Sequence, residues 1–421
     1  MPKFLDLFAG AGGLSEGFIR AGYDAVAHVE MDTAACYTLK TRMAYHWLHK
    51  EKNIDLYNNY LAGTINRKEF YEKIPNKILD SVLNYEISEE NINEIFNKID
   101  EILGNETLDI IIGGPPCQAY SIAGRARDDK HMVGDKRNYL YKFYVKFVER
   151  YMPKYFVFEN VVGLKSAKDA DKTFHLDNLI AAFQDIGYAI EYKILNASDY
   201  GVLQNRKRII LIGSRDEKEN FYPEINKVES DFQVKEIFCD LPSLKAGEGI
   251  SGPVATLEYD GRYLYDSGIK AYDGEPVTMH QARPNKEKDL EIYRIVTDAW
   301  NKNHKRIMYN ELPVDLISHK NKKNFLDRFK VVAGDLSHSQ TVVAHIARDG
   351  HYYIHPDIEQ NRSITPREAA RLQTFPDNYY FESNTGKFSR TLAYKQIGNA
   401  VPVCLSYYVA EALLSKFDDD D

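Results

Sequence analysis

The chain is poor in cysteine, with four in 421 residues, at positions 36, 117, 239 and 404. No two are spaced as CxxC and no histidines gather at ligand spacing. Neither a disulfide framework nor a zinc site follows, no metal is expected, and the pattern fits a reducing cytosol, hence a cytoplasmic protein. No apolar run approaches membrane-spanning length, so no membrane partner is expected. Met1-Pro2-Lys3-Phe4 leads straight into a strand-like segment, leaving no room for a signal peptide. A positive charge excess is also lacking: 54 lysines and arginines stand against 62 aspartates and glutamates, a net charge of −8. Internal repeats and low-complexity linkers are absent too.

What is present is a globular composition, 44% hydrophobic and 28% charged, long enough for one large domain and a smaller one. Charge is patterned rather than spread. The tail Asp418 to Asp421 supplies four of the eight surplus negative charges. Basic residues collect at Arg125, Arg127, Lys130, Lys136 and Arg137, at Arg206, Lys207, Arg208 and Arg215, and at Lys320, Lys322, Lys323, Arg328 and Lys330. One such group is an ordinary solvated face; three of them keep a nucleic-acid partner open.

The first half alternates strand-like and helix-like segments. Strands are expected at 4–8, 25–29, 108–112, 155–158, 189–196 and 208–213, with helices at 14–21, 138–151 and 174–186. Such alternation predicts an α/β fold with a parallel, doubly wound sheet. Residues 33–105 read as largely helical, and 51–105, rich in Asn, Lys and Ile, as a helical insertion. From 246 to 387 periodicity fades into glycines, tyrosines and polar turns, which marks a second, irregular domain. Order returns with a Gly-Asn turn within 393–403 and an apolar helix over 403–417. The division is therefore 1–245 plus 388–421 for one domain and 246–387 for the other.

Three strand ends carry chemistry. Gly113-Gly114-Pro115-Pro116-Cys117-Gln118 follows the β-branched run 108–112, so a thiol is presented on a stiff Pro-Pro stem at the edge of a buried strand. A structural cysteine packed as a small hydrophobe is the bland alternative. Phe8-Ala9-Gly10-Ala11-Gly12-Gly13 follows the first strand and opens a helix, the place where a nucleotide-like cofactor lies in a doubly wound sheet, and Glu30 ends the next strand where a carboxylate grips ribose hydroxyls. This turn alone does not separate NAD, FAD and S-adenosylmethionine, and a tight packing turn has the same pattern. Glu159-Asn160-Val161 ends the strand 155–158; alone, Glu159 reads equally as a surface charge. Ligands bind outside the carboxyl ends of such strands, so Gly10, Glu30, Cys117 and Glu159 are expected on one rim.

With these residues in order, the chain resembles the bacterial-type DNA (cytosine-5) methyltransferases over nearly its whole length. Phe8 to Gly12 resembles the cofactor turn, Pro115-Pro116-Cys117-Gln118 the nucleophile loop, Glu159-Asn160-Val161 the acidic motif and Gln204-Asn205-Arg206-Lys207-Arg208 the basic motif. Arg362 to Pro376 resembles the helix that braces the recognition domain, and Gln396-Ile397-Gly398-Asn399-Ala400-Val401-Pro402 the closing motif.

The resemblance implies a Rossmann-like S-adenosylmethionine-dependent methyltransferase sheet, with 246–387 as the target recognition domain. It implies C5 methylation of a flipped cytosine in a defined double-stranded DNA sequence, through a covalent Cys117–C6 intermediate, with S-adenosylhomocysteine as product. Cytosine C5 is too poor a nucleophile unaided, and thiolate addition at C6 activates it. Glu159 is then implied at N3 and the exocyclic amine, Arg208 at O2 and Arg206 nearby. The cofactor set carried over is Phe8, Gly10, Gly12, Glu30, Met31, Pro115, Leu140, Asn399 and Val401, with Glu86 at the adenine amine. Gln118, Ser121, Arg125, Arg127, Lys320, Lys322, Lys323 and Thr341 are the implied DNA contacts. A cognate restriction endonuclease acting separately is the implied partner. A tRNA methyltransferase with the same loop, a silent DNA-binding scaffold and a nicotinamide or flavin oxidoreductase are the competing readings; the last explains only the glycine turn.

Overall fold

A computed structural model describes residues 1–116, 139–169, 171–319 and 325–418 of the chain, Asp418 by its backbone only. Its centre is a seven-stranded sheet of β1 (Lys3–Leu7), β2 (Asp24–Glu30), β3 (Val82–Asn84), β4 (Ile110–Gly113), β5 (Tyr155–Val161), β6 (Ala189–Asn196) and β7 (Lys207–Ser214), in the order β3-β2-β1-β4-β5-β7-β6. Pairing is parallel from β3 across to β5, and β7 runs antiparallel to both β5 and β6. The expectation of an all-parallel sheet is therefore corrected at one strand. The short chain joining β6 to β7 leaves no length for a crossover, so β7 returns antiparallel.

Side chains alternate across the sheet with period two. Ile111, Phe156, Phe158, Ile209 and Leu211 share one apolar cluster with α6 (Ile92–Leu103), α7 (Leu140–Tyr151) and α8 (His175–Asp185), numbered in chain order with the helices below. Their neighbours Ile110, Ile112, Tyr155, Val157, Ile210 and Ile212 face the opposite way, onto α1 (Gly13–Arg20) and the C-terminal α13 (Val403–Asp418). Each fully buried Ile or Phe here stabilises by roughly 1.5–3 kcal/mol.

The helical insertion is shorter than the sequence indicates. After α2 (Thr33–Lys50), only α3 (Ile54–Leu61), α4 (Arg67–Tyr71) and α5 (Asn76–Leu79) are additions. Residues 82–103 return to the sheet as β3 and α6, whose Ile92, Ile95, Ile99 and Leu103 are spaced along one buried stripe. A three-residue strand is too short for its pattern to show in sequence.

Beyond β7 regular structure is sparse: α9 (Tyr263–Asp266), α10 (Glu287–Asn303), α11 (Pro366–Leu372) and α12 (Arg390–Asn399) stand among loops and single turns. Packing crosses the division expected at 245/246. Val234 and Ile237 share one apolar cluster with Tyr263, Val342, Tyr353, Leu372, Tyr379 and Ile397, and that cluster reaches Ala11 beside the sheet. Gly398-Asn399 is also no free turn. It closes α12, and a Cβ on Gly398 would lie 2.3 Å from the backbone of Val343 and Ala344. The apolar stretch Arg390–Phe417 is long enough by composition to cross a bilayer, against the sequence expectation, but 67% of its most apolar window is buried inside the protein.

Candidate active site

The parallel strands β1 to β5 all end on one edge. β1 runs into Phe8 and Gly10, both with positive φ (57° and 56°), and Gly12 (83°) then starts α1. The Gly10 N–H donates to Glu30 Oε2 at 2.8 Å, and the Asp32 N–H donates to Glu30 Oε1 at 2.7 Å. Burial pushes the Glu30 carboxyl above its usual range, and these two N–H donors oppose that shift. A Cβ built on Gly10 meets no heavy atom within 4 Å, so the turn faces open space; on Gly12 it would sit 2.7 Å from the Tyr379 hydroxyl. Met31, 58% exposed, stands at the same edge. Asn84, at the end of β3, donates to the Glu30 and Met31 carbonyls at 3.1 and 3.0 Å, which brings the exposed Glu86 to this edge two residues later. A bare backbone turn, a buried carboxylate acceptor and a free thioether fit a ribose diol and a flat purine.

On the other side of β1, β4 ends at Gly113 and leads to the buried Pro115. Cys117 lies outside the described residues, as do Gln118, Ser121, Arg125 and Arg127. The stem before them is described. Asn160 Nδ2 donates to the Pro115 carbonyl at 3.2 Å, and a Cβ on Gly114 would lie 2.7 Å from Glu159 Oε2. Glu159 is thus packed against the Gly-Pro stem itself. Its Oε1 is 2.6 Å from Arg208 Nε, and both side chains are 12–13% exposed.

That pair depends on the reversed strand. Glu159 registers with Ile210 and Val161 with Arg208, so Glu159 and Arg208 are diagonal neighbours on one face. Were β7 parallel, Arg208 at its start would occupy the opposite rim.

Arg206, implied near the cytosine O2, turns its guanidinium onto backbone carbonyls. It is fully buried, and its guanidinium donates to the carbonyls of Val342 (2.5 Å), Gly398 (3.2 Å) and Ala400 (2.8 Å). Burial lowers its pKa well below the usual arginine range, with the Arg208 charge adding to that shift. It ties the start of β7 to the 342 segment and the closing motif, a bracing position rather than one at the rim. Asn399 is exposed, Val401 is buried, and Leu140 is half-buried at the start of α7.

Thr341 Oγ1 donates to the Asn205 carbonyl, on the wall of a cleft of about 560 Å³ that also includes Lys305, Lys330, His338 and Tyr352. Of the third basic group, Lys320, Lys322 and Lys323 lie outside the described residues, Arg328 is paired with Asp349, and the Lys330 ammonium stands 5.1 Å over the Tyr352 ring. Sequence reasoning gave Asn160 no role of its own, because a side chain-to-carbonyl bond across 45 residues leaves no local pattern.

Comparison with known proteins agrees along the chain. The family model described as C-5 cytosine-specific DNA methylase matches residues 2–415. Type II methyltransferase M.Bpa9945I of Bacillus paralicheniformis is 40% identical, covering 97% of this chain and 98% of the relative. Type II methyltransferase M.DdeI of Desulfomicrobium norvegicum is 30% identical over 99% and 89%. Among solved structures, a candidate DNA modification methyltransferase encoded within an E. coli prophage superposes with a TM-score of 0.62 at 22% identity, covering 99% of this chain and all of that one. The chain belongs to the C-5 cytosine-specific DNA methylase family.

Proposed function

We propose that the protein methylates C5 of a cytosine in a defined double-stranded DNA sequence, as the modification enzyme of a Type II restriction–modification system with a separate endonuclease. The names of its relatives support the Type II setting. The observation that carries the chemistry is the Glu159–Arg208 pair packed against the Gly114–Pro115 stem, one residue from Pro116 and two from Cys117.

A stacked base cannot reach this edge, so the target is swung out of the duplex at a cost of a few kcal/mol. Cys117 Sγ adds to C6, and the displaced C5–C6 electron pair moves toward N3, where Glu159 supplies a proton or hydrogen bond. Arg208 holds O2 and keeps the Glu159 carboxylate oriented. The activated C5 takes the methyl group and then gives its proton to water or a nearby base, and the freed electron pair re-forms the C5–C6 double bond as the Sγ–C6 bond breaks. The described thiols make poor nucleophiles, because burial pushes Cys36 up to about 12 and raises Cys239 and Cys404. This supports Cys117 as the nucleophile.

S-adenosylmethionine, when bound, supplies an electrophilic methyl on its sulfonium. Phe8, Gly10 and Gly12 would hold its methionine part, Glu30 the ribose, Met31 and Glu86 the adenine, and Pro115, Leu140, Asn399 and Val401 the remaining walls. Thr341 and the loop residues Gln118, Ser121, Arg125 and Arg127 would contact DNA, with Lys320, Lys322 and Lys323 on phosphates, positioning without specifying.

An oligonucleotide library carrying 5-fluorocytosine, supplied with the methyl donor, tests this directly. A denaturation-resistant protein–DNA adduct mapping to residue 117 is expected, because fluorine blocks the elimination. Cys117→Ser should form none while still binding DNA. An adduct at another residue, or methyl label entering bulk tRNA and not plasmid, overturns the reading.

A further inference from the structure

The insertion of α3 to α5 has no part in the proposed chemistry, yet its side chains reach toward the cofactor turn through one intermediary. The segment 378–384 lies between them. Tyr57 OH donates to the Asn378 carbonyl at 2.7 Å, and Tyr60 OH donates to the buried Glu382 carboxylate. Arg67 adds a 3.3 Å pair to Glu382 and donates to the carbonyls of Ser383 (2.5 Å) and Asn384 (3.2 Å). The Tyr60 ring stacks on Phe70 at 4.7 Å, so the α3–α4 pair presents these groups as one packed unit.

The other side of the same segment holds both elements that would line the methyl donor. Tyr379 OH donates to the Ala11 carbonyl at 2.5 Å, in the middle of the glycine turn, and is the atom closest to a Cβ on Gly12. Asn378 Oδ1 accepts from Arg42 at 2.7 Å, and Arg42 holds the buried Glu16 of α1 at 2.8 Å. The Glu382 carbonyl accepts from Gln396 Nε2 at 2.9 Å, in the closing motif. The chain of contacts runs from the insertion to segment 378–384 and from that segment to both walls of one site, through buried groups except at Arg67 and Asn384.

We propose that Tyr57, Tyr60 and Arg67 are positioning residues for the methyl donor: the insertion clamps 378–384, and the clamp sets the separation of the Ala11 turn from the closing motif. This rests on the cofactor reading above. A clamp acting only on donor geometry alters donor affinity while leaving the Glu159–Arg208 edge alone, which separates it from a general stabilising role.

Tyr60→Phe keeps the stack and removes one hydroxyl, and Arg67→Ala removes the grip on two carbonyls. In the full-length protein, Kd for S-adenosylhomocysteine by calorimetry and KM for S-adenosylmethionine should rise about tenfold, with kcat and the KM for DNA within about twofold. Arg67→Lys should recover part of the loss. Hydrogen exchange, measured without any ligand, should quicken at residues 9–16 and not in β4 or β5. Unchanged donor affinity with unchanged exchange at 9–16 overturns the clamp, as does a loss confined to kcat. If the wild type binds no S-adenosylhomocysteine, the cofactor reading fails, and the exchange result alone still decides whether the insertion holds the turn.

Discussion

The sheet half and the irregular half face one physical demand, buried backbone groups that must find partners, and meet it with different chemistry. In the sheet half the strands pair with one another and the core on both faces is Ile, Val, Phe and Leu. In the second half few ladders exist, and buried arginines take their place. Arg367 donates to the carbonyls of Thr278, Pro376 and Tyr379 at 2.8–2.9 Å. Arg362 donates to the Leu244 and Ser363 carbonyls, both at 3.1 Å, and forks onto Glu368. Arg371 joins Asp240, Asp377 and the Ile237 carbonyl. Irregular backbone can be buried here because guanidiniums on and just before one short helix reach carbonyls 89 to 134 residues away in sequence.

The comparison makes the two halves fail differently. At the sheet's edge, Glu159→Gln should lower kcat by about a thousandfold, within the range for removing a general acid, in protein that still folds. In the irregular half, Arg371→Ala should cost about 3–5 kcal/mol of stability in urea titration, because Asp377, the Ile237 carbonyl and Asp240 each lose a buried donor, and Lys270 remains to pair Asp240 alone. In the sheet core, Ile111→Val should cost only about 1 kcal/mol. An Arg371→Ala protein as stable as the Ile111→Val protein would erase the distinction between the halves.

This difference also explains what was legible. The strands 4–8, 25–29, 155–158 and 208–213 read well because burial on both faces writes a continuous apolar run into neighbouring residues. The glycine turn, the Gly-Pro stem and Glu159 stand where β1, β4 and β5 run out, so each is a local pattern of a strand followed by a turn. The direction of β7 did not read, although the Glu159–Arg208 pair depends on it, because nothing within 207–214 encodes its partner's direction. The brace made by Arg206 was likewise hidden, since its three carbonyls come from 136 to 194 residues away. The packing of Val234 and Ile237 across 245/246 is equally hidden, because their neighbours come together only in the folded cluster.

Acid should expose one weakness in each half. His28, buried in β2 with neither ring nitrogen hydrogen-bonded among the described residues, is held by burial at about 4. His355, in the irregular half, is held at about 3 by burial and by the Arg362 charge. An unfolded histidine titrates near 6.5. Both therefore bind protons more readily unfolded, so their contribution to stability is complete above about pH 6.5 and is lost as pH falls toward 4 and 3. Thermal melts should show Tm dropping by about 5 °C over that window, and His28→Phe should flatten the upper part of the slope. A Tm constant from pH 6.5 to 4 would mean that neither ring is held neutral.

The smallest effect belongs at the surface of the sheet half. Arg150 and Asp100 form a 2.5 Å ion pair between α7 and α6, with both side chains 42% exposed. Its geometry is as short as the buried Arg371–Asp240 contact at 2.5 Å, so distance alone ranks the two equally. Solvent decides otherwise. Water screens the exposed charges, and either side chain regains hydration when its partner is removed. Arg150→Ala should cost about 0.5 kcal/mol, falling further at high salt, with the lost packing over the Phe96 ring setting the floor. Arg371 has no such refuge, so its penalty should persist as salt is raised. Parallel urea titrations of the two variants at low and high ionic strength separate these cases, and an Arg150→Ala loss above about 2 kcal/mol would place this pair with the buried ones.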